Sequence, residues 1–165
     1  MSDGLVMRSL TATDFAEARA VADAWFGRPV GLTMHRLFFD QLGTTGLRAA
    51  EPGDPDRLVG VLLGFASQAE PELAYIHFVM VDPAVRQRGV ARALYAEFGR
   101  RLCALGCTRV RTLAAPTNGR SLRFHEALGF VGAFASEYVG PGQDRVVFER
   151  ALPFGADIAA PIPRD

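Results

Sequence analysis

Lysine is absent from this sequence: all 18 basic residues are arginine, and 18 acidic residues balance them to a formal net charge of zero. Proteins that bind nucleic acid through its phosphates need an excess of basic charge. The balanced charge therefore argues against nucleic-acid binding, and we expect no nucleic-acid partner. The absence of lysine also excludes the phosphate-binding loop G-x-x-x-x-G-K-[ST]. The dinucleotide-binding motif G-x-G-x-x-G is absent as well.

Long hydrophobic runs are absent as well. No apolar stretch approaches the roughly 20 residues that a membrane-spanning helix needs, so we expect no membrane partner. The first ten residues, MSDGLVMRSL, lack a basic region followed by a long apolar stretch, which predicts no signal peptide. Together these features predict a cytoplasmic protein.

Cysteine is scarce. The only two, Cys103 and Cys107, lie four residues apart in a predicted helix. A metal site would need further ligands close to them, and the sequence pattern supplies none. We therefore predict two reduced thiols and no bound metal.

Composition and patterning predict one globular domain over residues 1–152, followed by a tail rich in proline and alanine over residues 153–165. Hydrophobic periodicity and turn residues divide the domain into alternating elements. The predicted helices cover residues 11–27, 32–43, 89–106 and 117–130, and the predicted strands cover residues 5–10, 46–51, 57–67, 73–81, 109–115, 130–139 and 144–152. This order is typical of an α/β (α+β) fold in which helices flank a central sheet.

A cluster of arginines surrounds Gly89, where the strand over 73–81 gives way to a helix: Arg86, Arg88 and Arg92. The first N–H groups of a helix have no partner within it and lie at the positive end of its dipole. Glycine at this position lets an anion approach the backbone closely. The stretch therefore predicts a pyrophosphate site, and the alternative is a basic first turn that faces solvent.

Two motifs carry a resemblance to the GCN5-related N-acetyltransferase (GNAT) superfamily. The stretch VDPAVRQRGVARAL resembles its motif A, V-x-P-x-x-[RQ]-x-x-G-x-[GA]-x-x-L, at Val81, Pro83, Arg86, Gly89, Ala91 and Leu94. The stretch NGRSLRFHEALGF resembles its motif B, N-x-x-[AS]-x-x-[FL]-[YH]-x-x-x-G-F, at Asn118, Ser121, Phe124, His125, Gly129 and Phe130. The two motifs are separated by the strand–helix–strand–helix spacing usual in that family.

The resemblance implies a mixed, mostly antiparallel sheet of six to seven strands with about four helices, in which the strand over 73–81 carries a bulge and splays from the next strand. It implies acetyl-CoA as co-substrate, without a metal, and transfer of the acetyl group to a primary amine of a small molecule or peptide by direct attack in a ternary complex. Homodimers are frequent in that family, so a homodimer is also an expectation. The cofactor-binding residues it implies are Val79, Val81, Arg86, Gln87, Arg88, Gly89, Val90, Ala91, Arg92, Asn118, Ser121 and Phe124.

His77 is the first candidate for the general base. Alternation along the strand predicts that its side chain shares one face with Tyr75, Val79 and Val81, close to the implied thioester. An unperturbed histidine pKa of about 6.5 suits a base at neutral pH. The alternatives are a core histidine and a base role, through water, for Glu70 or Glu72.

His125 stands where most family members with this motif have tyrosine, and that tyrosine serves as general acid to the departing thiolate. Histidine could donate a proton or a hydrogen bond to the sulfur, or it could be a structural helix residue. The departure also keeps open a second function, a noncatalytic acyl-CoA-binding regulatory module. Apolar residues over 25–39 predict either a pocket for a hydrophobic amine or two helices that bury them against the sheet.

Overall fold

Periodic apolar residues, interrupted by glycine and proline, produce seven strands and four α-helices within residues 4–159, the part of the chain that the computed structural model describes. The strands are β1 (Val6–Ser9), β2 (Leu47–Glu51), β3 (Asp54–Ala66), β4 (Leu73–Val81), β5 (Arg109–Ala114), β6 (Val131–Ala135) and β7 (Arg145–Ala151). The helices are α1 (Asp14–Phe26), α2 (Arg36–Leu42), α3 (Val90–Ala104) and α4 (Gly119–Ala127). None of these helices is long and apolar enough to cross a bilayer.

All seven strands form one sheet in the order β1-β2-β3-β4-β5-β7-β6. Every neighbouring pair is antiparallel except β4 and β5, which are parallel. Buried side chains form two clusters: one joins the sheet to α3 and α4, and the other joins it to α1 and α2. The predicted mixed sheet with helices on its faces is therefore confirmed.

Several element boundaries differ from prediction for local reasons. Helix α1 begins at Asp14 rather than residue 11, because the Asp14 carboxylate accepts hydrogen bonds from the N–H and hydroxyl of Thr11. Helix α2 begins at Arg36, where the His35 ring caps it by accepting from the N–H of Leu37. Strand β6 ends at Ala135, and Glu137 beyond it has a left-handed φ of 52°.

A bulge divides β4. Leu63 pairs with Phe78, but the next residue of β3, Gly64, pairs with Ile76, so His77 is an extra residue on β4. Such an insertion bends the strand and increases its twist. Both the bulge and the splay that the resemblance implies are confirmed: β4 pairs with β5 only as far as Ile76 opposite Thr112, and its remaining residues extend to the end of the strand without that neighbour.

The bulge also reassigns side chains to faces. Ile76, Val79 and Val81 pack with the α3 cluster, whereas Phe78 and Met80 pack with the α1 and α2 cluster. The ring of His77 contacts Phe38 of α2, so it lies on the second face. The prediction that His77 shares a face with Val79 and Val81 was therefore wrong, because one inserted residue reverses the alternation beyond it.

The first part of the predicted tail packs against α3. Phe154 lies so close to Gly99 that a Cβ there would stand 2.5 Å from its ring, and Ile158 is buried in the α3 cluster. Arg150 of β7 forms a bidentate ion pair with Asp157 at 2.8 and 3.0 Å. Residues 153–159 therefore act as a strap over the helix, and residues 160–165 of the predicted tail lie outside the described part.

The bulge needs a glycine opposite it. A Cβ on Gly64 would lie 2.6 Å from the Phe98 ring and 2.8 Å from the carbonyl oxygen of Tyr75. We expect Gly64→Ala to lower the free energy of unfolding by about 1–3 kcal/mol through overpacking. Urea denaturation measures this, with Gly119→Ala as the control, because a Cβ there meets only the mobile end of Arg123. Equal stability of the two variants would contradict the argument.

Candidate functional site

The loop between β4 and α3 turns the backbone sharply. The Asp82 carboxylate accepts from the N–H of Ala84 at 2.9 Å and so caps a short turn, Pro83–Val85. Two residues then take left-handed conformations, Gln87 with a φ of 70° and Gly89 with a φ of 80°. For Gln87 this conformation is uncommon, and it marks a backbone shaped by its surroundings.

This turn leaves a row of N–H groups without partners. Within residues 4–159 the N–H groups of Gln87, Gly89, Val90, Ala91 and Arg92 donate to no acceptor. In the same stretch the N–H of Arg88 donates to the Val85 carbonyl at 3.2 Å and that of Ala93 to the Gly89 carbonyl at 2.9 Å. No atom would come within 4 Å of a Cβ on Gly89, apart from its chain neighbours. The start of the 15-residue helix α3 therefore presents an open cradle of donors that suits a pyrophosphate.

The three arginines of the predicted cluster do not act together. Arg86 donates to the Trp25 carbonyl at the end of α1, and Arg88 lies 3.5 Å from the Glu51 carboxylate at the surface. Arg92 is 8% exposed and donates to the carbonyls of Asp157 and Ile158 at 3.2 and 3.0 Å. The Arg92 side chain therefore holds the strap, and only its backbone N–H faces the cradle.

A further arginine, Arg120, is exposed in the first turn of α4, and its guanidinium group forms no hydrogen bond within the described chain. Partial burial lowers the pKa of Arg86, and the positive charge of Arg120 lowers it further. An exposed guanidinium group without a protein partner is suited to bind an anion.

The start of α4 forms the other wall predicted for the cofactor. Asn118 caps the helix, its side chain accepting from the N–H of Ser121 at 3.1 Å. Phe124 is half-buried and packs edge-to-face on Tyr95 of α3, with ring centroids 5.4 Å apart. Val79 and Val81 pack against the same cluster as Phe124. The predicted cofactor residues of β4 and α4 thus converge on the α3 side of the sheet.

His77 lies on the opposite face with its ring accessible. The ring is 4.9 Å from Phe38 and 6.4 Å from Tyr75, measured between centroids, and no residue within 4–159 forms a hydrogen bond with it. Partial loss of hydration among these rings lowers the pKa of His77, because the charged imidazolium is disfavoured there. At neutral pH the imidazole is therefore uncharged, and its one unprotonated nitrogen can accept a proton.

The alternative base Glu70 is engaged elsewhere. Its carboxylate forms ion pairs with Arg109 and Arg111, which also bind Glu149. The Glu70 carboxylate is therefore occupied by two guanidinium groups. Glu72 is exposed just before β4.

His125 is buried rather than facing a cleft. Its Nδ1 lies 2.7 Å from the Ser121 carbonyl oxygen, which can only accept, so Nδ1 carries the hydrogen. Its Nε2 then accepts from the Tyr95 hydroxyl at 2.8 Å. The ring stacks on Phe148 with centroids 5.0 Å apart, and burial lowers its pKa. His125 is therefore a neutral core group with both nitrogens satisfied.

No sequence pattern singles out Tyr95. It lies within the predicted helix over 89–106, and its hydroxyl is the partner that fixes His125. The two residues are 30 positions apart and meet only because α3 and α4 pack on the same face. Sequence spacing carries no signal for such a contact.

Neither thiol belongs to a ligand cluster in the described chain. Cys103 is half-buried on α3, and Cys107 is buried beyond the helix end with its sulfur 3.7 Å from the Pro71 carbonyl. Within residues 4–159 no group of three or more His, Cys, Asp or Glu side chains is placed to hold a metal ion.

The chain is similar in sequence to known acetyltransferases. It is 31% identical to the mycothiol acetyltransferase of Gordonia bronchialis over 113 residues, which are 68% of this chain and 31% of that protein. It is 32% identical to the aminoglycoside N(6')-acetyltransferase type 1 of Salmonella typhimurium over 81 residues, which are 43% of this chain and 56% of that protein. The chain thus spans about a third and about half of the lengths of these relatives.

Its fold is similar to that of the phosphinothricin acetyltransferase of Sinorhizobium meliloti, solved in complex with acetyl-CoA. The TM-score is 0.70 at 19% sequence identity, and the match covers 93% of this chain and 91% of that one. The sequence model described as the acetyltransferase (GNAT) family matches residues 14–130, which include the bulged strand, the donor cradle and α4. This match covers well over half of the sequence, and the chain therefore belongs to the acetyltransferase (GNAT) family.

Proposed function

We propose that this chain is an acyl-CoA-dependent N-acetyltransferase that transfers the acetyl group of acetyl-CoA to a primary amine by direct attack in a ternary complex. The observation that carries the proposal is the set of five N–H groups at and just before the start of α3 that have no acceptor within the described residues, beside the point where β4 parts from β5. Family membership supports the same reaction class. The named relatives support an amine acceptor only in general terms, since one of them acts on aminoglycosides.

The residues present could hold two parts of acetyl-CoA, its pyrophosphate and its pantetheine arm. Its pyrophosphate would bind the five free N–H groups, those of Gln87, Gly89, Val90, Ala91 and Arg92. Its pantetheine arm carries amides, and the edge of β4 near Val79 and Val81 has no β5 partner for its own amides. An extended arm can therefore pair with this edge as a strand would.

The protein contributes a proton acceptor, a hydrogen bond to the carbonyl oxygen and the positioning of the two substrates. The His77 imidazole takes a proton from the ammonium form of the acceptor, so that the neutral amine attacks the thioester carbon. A carbon–nitrogen bond forms, the carbon–sulfur bond breaks, the nitrogen releases its second proton to solvent, and the thiolate takes up a proton from solvent. A backbone N–H near Val79 would polarise the carbonyl oxygen, and positioning of the two substrates supplies most of the acceleration.

One observation favours a second function, the noncatalytic acyl-CoA-binding regulatory module. His125 occupies the motif position of the usual proton donor, yet both of its nitrogens are engaged inside the core. A chain that binds the cofactor without a donor to the sulfur could act as a sensor. Release of free CoA in the presence of an amine, detected with a thiol reagent, distinguishes the enzyme from the sensor.

The cradle is tested by a pair of glycines on one helix. Gly89 and Gly106 flank the two ends of α3, both have left-handed backbone, and a Cβ at either would meet no atom within 4 Å. Gly89→Ala and Gly106→Ala should therefore lose similar stability from backbone strain. Only Gly89→Ala should weaken acetyl-CoA binding, by about tenfold or more in titration calorimetry, because its methyl group stands where a phosphate approaches. Equal affinity of the two variants would refute the cradle.

The base is tested by His77→Gln. We expect kcat to fall by about 10²-fold at neutral pH, a typical loss for a general base. Because burial lowers the pKa of His77, wild-type activity should stay high as the pH falls to about 6.5 and decline only below it. The deficit of the variant should shrink above the pKa of the acceptor amine, where no base is needed. A deficit that is constant across the whole pH–rate profile would contradict the role.

His125→Phe separates a structural role from an acid role. Removing the acceptor of the buried Tyr95 hydroxyl leaves that group unsatisfied, which should cost about 1–3 kcal/mol of unfolding free energy. At a temperature where circular dichroism shows the variant to be fully folded, we expect kcat within a few-fold of wild type. A loss of about 10²-fold in the folded variant would instead identify His125 as a proton donor.

A further inference from the structure

The helices leave half of one sheet face open. The cluster that contains α1 and α2 covers this face over β3 and β4, and no helix within residues 4–159 covers it over β5, β7 and β6. His77 lies at the border, on the side of the sheet opposite the α3 cluster. An acceptor that reaches His77 therefore has to approach across this border.

A row of aromatic rings lines the border. Phe38 of α2 lies 4.9 Å from His77, Tyr75 lies 6.4 Å from it on the same strand, and Phe65 of β3 lies 5.5 Å from Tyr75, all between ring centroids. Phe38, Phe65 and Tyr75 are only half-buried, so ring surface remains available beside the base. Rings of this kind bind other rings and bulky apolar groups by burial and edge or offset contacts.

The charged side chains on the same face favour an acceptor molecule that carries no second ammonium group. Register places Tyr75 beside Arg111 and then Glu149, and that carboxylate is bound by both Arg109 and Arg111. Glu70 is bound by the same two arginines. Arg145 at the start of β7 donates to a backbone carbonyl and forms no ion pair within residues 4–159, so Arg109, Arg111 and Arg145 stand here against the two bound carboxylates of Glu70 and Glu149.

We propose that the acceptor is a primary monoamine carried on an aromatic or bulky apolar body. The body rests on the rings of Phe38, Phe65 and Tyr75, and the amine reaches His77. A polycation such as an aminoglycoside or a polyamine would place its further ammonium groups near arginines whose neighbouring carboxylates are already bound. This inference rests on the proposed acetyltransferase function.

The test compares acceptors on the unmodified protein. Initial rates of CoA release are measured with 2-phenylethylamine, butylamine, spermidine and kanamycin at saturating acetyl-CoA. We expect kcat/KM for 2-phenylethylamine to exceed each of the other values by about tenfold or more, the effect of burying a ring surface. Higher kcat/KM for spermidine or kanamycin would overturn the inference and leave the acetyltransferase function standing. No turnover with any amine, despite bound acetyl-CoA, would overturn both.

A variant locates the acceptor body. Phe38→Ala should raise KM for 2-phenylethylamine by about tenfold while KM for butylamine changes less than threefold. Phe134→Ala is the matched control, since it deletes the same ring from the outer strand β6, where it is 65% exposed. If Phe38→Ala does not fold, Phe65→Leu supplies the comparison, because it removes a ring and keeps apolar volume. An unchanged preference in a folded ring-row variant would overturn the placement.

Discussion

The single inserted residue in β4 is the constraint on which the rest of the site depends. His77 has no partner on β3, and this extra residue reverses the alternation of side chains along β4. Beyond it the strand twists away from β5. The reversal sends His77 to the α2 side and Val79 to the α3 side, so that the proposed base and the proposed cofactor wall stand on opposite faces of one strand. The parting from β5 frees the edge along which a thioester could lie between them.

The cofactor side of the site is built mainly from backbone. Its donors are N–H groups held outward by the left-handed residues Gln87 and Gly89, and the α3 dipole adds to their attraction for an anion. The arginine side chains that mark this loop in the sequence contribute less directly. The Arg92 side chain in particular donates to two carbonyls of the strap. These bonds fasten residues 153–159 over the helix that carries the cradle.

Sequence reasoning predicted most of the fold and the cradle because both depend on local signals. Apolar periodicity located the strands and helices, and glycine at a strand–helix junction indicated the anion site. What it missed or left open depends on contacts between distant residues. The face of His77 follows from pairing with β3, the burial of His125 from Tyr95 on another helix, and the role of Arg92 from a segment 65 positions away.

The two sides of the site therefore differ in which amino-acid substitutions they tolerate. A cradle of main-chain donors tolerates many side chains, provided that the left-handed positions and the helix start are kept. The proposed acceptor wall consists of side chains on α2, β3 and β4, on the face opposite the donors. Because the bulge separates the two walls physically, substitutions at Phe38 or Tyr75 would change the proposed acceptor preference without changing the proposed cofactor cradle.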